Sequence, residues 1–278
     1  MSTLGRRMIT GSIFVVVMTA GIYGGAYTFI ALFGLIATLS LWEFFGLTLD
    51  VKGKHGQIRR VMGILSGLLP FVLMAIQALN KSDSPDYFVH ALPGLLLAFF
   101  IMMLFELSGK SETPLQNLAW LALGIIYIGA PFSLMLLISF SNDQGYEPNI
   151  MMGLLLLSWA NDSGAYGIGS RFGKTPLAPR ISPKKTWEGA IGGLFITIIT
   201  MIICSFSMSV FTLTDWIVLS FIIVVLGSLG DLVESMFKRS LKVKDSGNLL
   251  PGHGGLLDRF DGLIFIMPFV TGYLYWIK

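Results

Sequence analysis

Apolar positions run through this chain in long stretches, separated by short polar or turn-forming breaks. Nine such stretches fall at about residues 8–24, 26–47, 60–79, 87–107, 116–140, 149–170, 187–209, 213–237 and 259–277. A helix of about 20 apolar residues crosses a hydrocarbon core about 30 Å thick, which is the length these stretches have. Lipid offers backbone N–H and C=O groups no partner, so the stretches are expected to be helices rather than an open sheet. The alternating apolar and polar positions of a membrane barrel are absent. The expected fold class is all-α: a polytopic integral membrane protein of about nine transmembrane helices.

Composition agrees and adds direction. Hydrophobic residues make up 54% of the 278 and charged residues only 13%, where a soluble domain carries about 25% charged residues. The mean hydropathy is +0.75. The run after Arg6 and Arg7 has the flavour of a signal peptide, but it passes almost directly into the next apolar run without a small-x-small cleavage pattern, so it reads as a retained first helix. The single cysteine, Cys204, lies inside an apolar run, which excludes an intrachain disulfide and a thiolate metal cluster. With a cytoplasmic N-terminus, 17 of the 19 lysines and arginines fall in inner loops, and Lys81 and Lys278 fall outside. That asymmetry sets the expected orientation.

Neither an internal repeat nor a low-complexity tract is present. Residues 1–148 read as a five-helix packing and scaffold region. Residues 149–278 read as a four-helix catalytic region with two long cytoplasmic loops, 171–186 and 238–258, rich in Gly, Pro and charge. Long loops of that composition are where function concentrates.

The acids carry the chemistry. Asp162, Asp231 and Glu234 fall inside expected spans, and Glu188, Asp258 and Asp261 at the cytoplasmic start of one; ionisable groups at such depth mark functional sites by default. Glu43 and Glu106, isolated near helix ends, read instead as interfacial snorkelling or local pairing. Asp258 and Asp261 are spaced i, i+3, and so share a helix face, as do Asp231 and Glu234. Four carboxylates so placed repel one another unless a cation joins them, and hard divalent ions prefer oxygen ligands. A Mg²⁺-type site, with one ion or two, is the inference. Ser182 as N-cap and Pro183 at the first helical position are expected to open the seventh span. Its free N–H groups, with Lys184 and Lys185, would then form a phosphate site. Lys238, Arg239, Lys242, Lys244 and Arg259 make a second basic cluster. Gly164, Gly167, Gly169 and Gly173 permit close backbone approach, which beside Asp162 and ahead of a basic loop favours nucleotide contact over helix packing. His253 suits either a hydrogen bond to a phosphate oxygen or a loop-structuring role.

Ser235 to Asp261, SMFKRSLKVKDSGNLLPGHGGLLDRFD, resembles the signature of the phosphatidate cytidylyltransferases. Ser235, Lys238, Arg239, Lys244, Asp245, Pro251, His253, Gly254, Gly255, Asp258, Arg259 and Asp261 all match it. NDSGAYGIGSRFGK and SPKKTWEGAIGG are similar to further parts of the family. The resemblance implies transfer of CMP from CTP to phosphatidic acid, with release of pyrophosphate. It also implies a Mg²⁺-dependent homodimer in the bacterial inner membrane with its site facing the cytoplasm, and Asp231, Asp258 and Asp261 as metal ligands. Asn161, Asp162, Lys184, Lys185 and Thr186 would lie near the nucleotide by the same carry-over.

The chemistry agrees with that implication. A phosphate monoester is largely dianionic at neutral pH and needs no general base to attack. The reaction needs charge neutralisation and in-line alignment of two polyanions. Lys238, Arg239, Lys244, His253 and Arg259 are therefore the expected partners of the lipid phosphate and the leaving pyrophosphate. The expected partners are CTP, phosphatidic acid and membrane lipid, and not nucleic acid. Three rivals were weighed: another CTP-dependent lipid enzyme or lipid kinase, a CDP-alcohol phosphotransferase, whose Asp-Gly-x-x-Ala-Arg pattern is missing, and an ion or metabolite transporter, which would spread its acids across the bilayer depth.

Overall fold

The computed structural model describes residues 3–80, 87–109, 111–140, 145–247, 249 and 254–277, with the side chains of 3–8 and 87–91 excepted. The chain is mostly helical. Among the described residues the helices are α1 (Thr3–Tyr23), α2 (Ala26–Thr48), α3 (Gly53–Leu79), α4 (Tyr87–Ser108), α5 (Pro114–Ser139), α6 (Pro148–Phe172), α7 (Trp187–Ser207), α8 (Leu213–Ser240) and α9 (Leu257–Ile277). Six of them, α2, α3, α5, α7, α8 and α9, are long and apolar enough to cross a membrane. Wider turns of π geometry interrupt α5 at Ile125–Gly129 and α8 at Ile223–Gly227, and Tyr273–Ile277 ends α9 in the same geometry.

One short element is not helical. Between α6 and α7 the chain forms an antiparallel hairpin, β1 (Pro176–Ala178) with β2 (Ser182–Thr186), in which Pro176 faces Thr186 and Ala178 faces Ser182. Ser182 therefore does not cap α7. A residue before proline is pushed out of the helical region by the pyrrolidine ring, so Ser182-Pro183 stays extended. The cap falls instead on Thr186, whose side-chain oxygen accepts from the Gly189 N–H at 3.1 Å.

By its contacts the chain divides into two compact units, Met1–Tyr146 with Asp245–Asp258, and Glu147–Lys244 with Arg259–Lys278.

In the first unit an aromatic cluster fills the core. The Phe29 ring lies 4.5 Å from Phe33 and 5.0 Å from Tyr146, and Phe33 lies 6.4 Å from Phe132. The Tyr146 hydroxyl donates to Ile22 O at 2.8 Å, satisfying its one polar atom. Gly129 packs directly on the backbone of Gly67, where any side chain would collide. Such close approach of small residues is how membrane helices gain packing without a hydrophobic driving force.

Glu106 is not a snorkelling side chain. It forms a buried ion pair with Arg59, at 5% and 2% exposure. Arg59 Nη2 and Asn117 Nδ2 donate to Glu106 Oε2 at 3.1 and 3.3 Å, and Arg59 Nη1 donates to Asp50 O at 2.5 Å. A charge pair this enclosed persists only because its lone pairs and protons are satisfied.

In the second unit α6 and α7 pack through glycines. A Cβ on Gly164 would come within 2.8 Å of Gly192 O, and one on Gly169 within 3.2 Å of Gly189 Cα. Thr212 and Asp215 form a reciprocal capping box at the start of α8, and the Tyr273 hydroxyl donates to Asp215 Oδ1 at 2.9 Å. Trp216, fully buried, fills the space left by Gly153.

Candidate active site

In the second unit, α8 and α9 bring acids together. Gly230 makes this possible: a Cβ there would meet Phe265 Cβ at 2.5 Å and Asp261 O at 3.3 Å, so only glycine allows the helices so close. On the next residue, Asp231, and one turn on, Glu234, carboxylates project toward α9, where the Asp261 carboxyl lies against both. The π turn of α8 ends at Gly227, one turn ahead of Asp231; such widened turns recur at functional sites. Glu234 is buried and pairs with Lys238 one turn later.

Lys185 on β2 completes the cluster. Its ammonium forms an ion pair with Asp231, both side chains about one-third exposed, at 28% and 34%. Asp162 on α6 lies within electrostatic reach of Asp231, Lys185 and Arg259. Asp162, Asp231, Glu234 and Asp261 thus share one neighbourhood with Lys185, Lys238 and Arg259, drawn from α6, β2, α8 and α9. The hairpin that carries Lys185 is pinned by Glu188 in the first turn of α7. Glu188 accepts from the Lys174 and Thr175 N–H groups at 3.1 Å, and Trp187 N donates to Thr175 O at 3.0 Å. The phosphate-binding expectation for the α7 N-terminus is accordingly revised: Thr186 and Glu188 occupy it, and the lysines sit on the strand before it.

Other expected nucleotide residues are placed less suggestively. Asn161 is buried, with its Oδ1 against Gly193 of α7. Lys184 is exposed on β2. Gly164 and Gly169 serve helix packing, whereas Gly167 has open space where a side chain would stand. Arg239 Nη1 donates to Val243 O at 3.0 Å, closing the C-terminal end of α8, and Lys244 is exposed. Pro251 and His253 lie outside the described residues.

The first unit holds a second acidic arrangement. The two oxygens of Asp258 accept from Ser246 N at 3.2 and 3.1 Å, and Oδ2 also accepts from Gly255 N at 2.8 Å. Asp258 therefore ties Ser246 to Gly255 within the stretch that matches the family signature. Glu43 of α2, read from sequence as an isolated interfacial acid, is buried at 6% exposure. Its Oε2 accepts from Leu257 N at 2.9 Å and from the Ser246 hydroxyl at 3.2 Å. The one signal available in sequence was a carboxylate inside an apolar run.

As donors for a metal, Asp231, Asp261 and Glu234 offer the oxygens that hard cations prefer. Among the described residues no group of three or more His, Cys, Asp or Glu is arranged as a ready cage. Magnesium is commonly held by one or two carboxylates, with water and substrate phosphates completing its shell, and the pair Asp231 and Asp261 fits that mode.

Comparison with known proteins shows the family. The chain matches the cytidylyltransferase family over residues 5–277. It is 34% identical over 259 residues to a phosphatidate cytidylyltransferase of Haemophilus influenzae, covering 88% of each chain. It is 36% identical over 207 residues to one from Staphylococcus aureus, covering 74% of this chain and 77% of the other. A Bacillus subtilis protein of the same name is 31% identical, with 97% of each chain covered. With a family match running over residues 5–277 and relatives at 31–36% identity over most of the chain, the chain belongs to the cytidylyltransferase family.

Proposed function

We propose that this chain transfers CMP from CTP to phosphatidic acid, forming CDP-diacylglycerol and pyrophosphate, at the cluster of Asp231, Asp261 and Lys185. The observation that carries the site is the meeting of the α8 and α9 carboxylates beside a lysine ammonium. The activity for which the relatives are named supports the substrates.

The phosphate oxygen of phosphatidic acid attacks the α-phosphorus of CTP, and the bond from that phosphorus to the β-phosphate bridging oxygen breaks as pyrophosphate leaves. The attacking group is already ionised, so no side chain has to remove a proton. Lys185, paired with Asp231 before substrate arrives, exchanges that partner for a nucleotide phosphate oxygen. Asp162 stands beside the same lysine and, with Asn161, Lys184 and Thr186 on the flanking elements, is assigned to the nucleotide side. Lys238, Arg239, Lys244, His253 and Arg259 neutralise the lipid phosphate and the leaving pyrophosphate. Asp231 and Asp261 hold Mg²⁺, with room in this reading for a second cation. When bound, Mg²⁺ neutralises charge on the phosphates and aligns them. Asp258, expected as a third ligand, has its oxygens engaged by backbone N–H groups and is assigned to holding the loop.

The same reading has nine spans, a cytoplasmic N-terminus, a homodimer, and a site on the cytoplasmic side of a bacterial inner membrane. The distribution of lysine and arginine supports the orientation.

The test is direct. Purified chain given CTP labelled at the α-phosphate, phosphatidic acid and Mg²⁺ should move label into lipid and release pyrophosphate in equal amounts. Label that stays in water, or lipid labelled only from the γ-phosphate, would discard the proposal in favour of a non-enzyme or a lipid kinase.

A further inference from the structure

Glu43 has no part in the chemistry above, yet it is placed with more constraint than most acids in the chain. It sits in α2, a helix long and apolar enough to span a membrane, where an ionisable group costs a few kcal/mol. Its Oε2 accepts from two points eleven residues apart within the signature stretch, from the Ser246 hydroxyl and from Leu257 N at the start of α9. Ser246 and Leu257 are themselves buried, at 4% and 3% exposure. The segment closes around the carboxylate through two glycines. A Cβ on Gly255 would meet Glu43 Oε2 at 2.6 Å and Gly247 N at 2.7 Å, and one on Gly247 would strike the Glu43 side chain. Glu43 Oε1 is buried, without a hydrogen-bond partner among the described residues.

Asp258 repeats the device from inside the segment, accepting from Ser246 N and Gly255 N. Ser246 is therefore held twice, by its hydroxyl on Glu43 and by its N–H on Asp258. A carboxylate at the first N–H of a helix also satisfies one of the orphan donors there and complements the helix dipole.

We propose that Glu43 is a positioning residue: it clasps Ser246 and Leu257, so that residues 245–247 and 254–258, with the signature residues Asp245, Gly254, Gly255 and Asp258, are held in one fixed arrangement. The inference rests on the functional reading for its consequence in turnover. The clasp itself does not depend on that reading, and the experiment separates them.

Hydrogen exchange of the full-length chain in lipid nanodiscs, read on peptides covering residues 246–257, is measured for the native protein and for Glu43→Ala, Glu43→Gln and Gly255→Ala. In parallel, kcat and KM for CTP are measured with phosphatidic acid. In Glu43→Ala the amides of Ser246, Gly255 and Leu257 should exchange about tenfold faster or more, while amides near Arg59 and Asn117 keep native rates. Turnover should fall about 10- to 100-fold through kcat with KM for CTP unchanged, the signature of misplacement rather than lost binding. Gly255→Ala should reproduce the pattern by forcing the clasp open. Glu43→Gln, which keeps the volume and one acceptor oxygen, should give a smaller rise in exchange, and it carries the test if the alanine variant does not fold. Native protection of Ser246 and Leu257 in Glu43→Gln and in every folded Glu43→Ala sample would overturn the clasp. A loosened segment with native kcat would overturn the positioning role. A native protein that transfers no CMP, yet whose segment loosens on substitution, would leave the clasp standing and remove the functional reading instead.

Discussion

Asp231 and Asp261 interact across α8 and α9, and Asp231, unlike the buried Glu234, keeps about one-third of its side chain exposed. Replacing either by Asn keeps the shape but removes the charge a divalent cation needs. Each variant is therefore expected to lose CMP transfer by about 10³-fold or more, with the thermal midpoint near that of the native chain. Parallel activity and melting measurements check this, and a variant retaining near-native rates would exclude that carboxylate as a ligand. Lys185→Ala should raise KM for CTP and leave Asp231 without its cation, so nucleotide affinity and not protein stability should move most. A different outcome is expected at Glu106→Gln. There the buried Arg59 would lose its charged partner, at a cost of about 3–5 kcal/mol in stability, read as a fall in the midpoint of thermal unfolding in detergent.

At the scale of elements, glycine contacts decide which helices can meet. Gly164 abuts the backbone oxygen of Gly192, and a carbonyl cannot move aside as a flexible side-chain end can. Gly164→Ala should therefore separate α6 from α7 and destabilise the chain by about 1–3 kcal/mol, measured by the same thermal assay; an unchanged midpoint would show that the pair has slack. Helix positions were legible in the sequence because length and apolarity alone fix them. The expected 26–47 is α2 at Ala26–Thr48, and the expected 187–209 is α7 at Trp187–Ser207. The expected 60–79 falls short of α3, which begins at Gly53, since a helix can continue past the hydrocarbon edge through polar residues that a hydropathy pattern does not register. Also hidden was the hairpin at 176–186, where two short strands carry no alternation long enough to read. Of the site, Asp231 and Asp261 could be singled out because charges in or beside apolar runs stand out one by one, and Lys185 because it stands just ahead of an expected span in a basic loop. Glu43 and Glu106 could not be assigned, because their partners lie far along the chain, 203 residues away for Ser246 and 47 for Arg59. Glycines shared by close helix packing and close ligand approach look alike in sequence, which is why Gly164 and Gly169 were misjudged.

For the whole molecule, charge asymmetry and catalysis make linked demands. In the proposed topology of nine spans with a cytoplasmic N-terminus, residue 278 emerges on the opposite side, and the loop bearing Lys185 shares a side with the N-terminus. Cysteine labelling from either face, in a chain with Cys204 replaced, should find positions near residue 180 reactive from the cytoplasm and positions near residue 278 reactive from outside; labelling from the reverse faces would refute that orientation. The claim on which the rest turns is that the carboxylates joined by α8 and α9 serve a divalent cation during CMP transfer. Its most direct measurement is pyrophosphate release, dependent on phosphatidic acid, by the purified native chain and by Asp261→Asn as Mg²⁺ is titrated. The native chain should be silent in chelator and rise to saturation with Mg²⁺, while Asp261→Asn stays near background at every concentration. Turnover that persists in chelator, or an Asp261→Asn curve that overlays the native one, would contradict it.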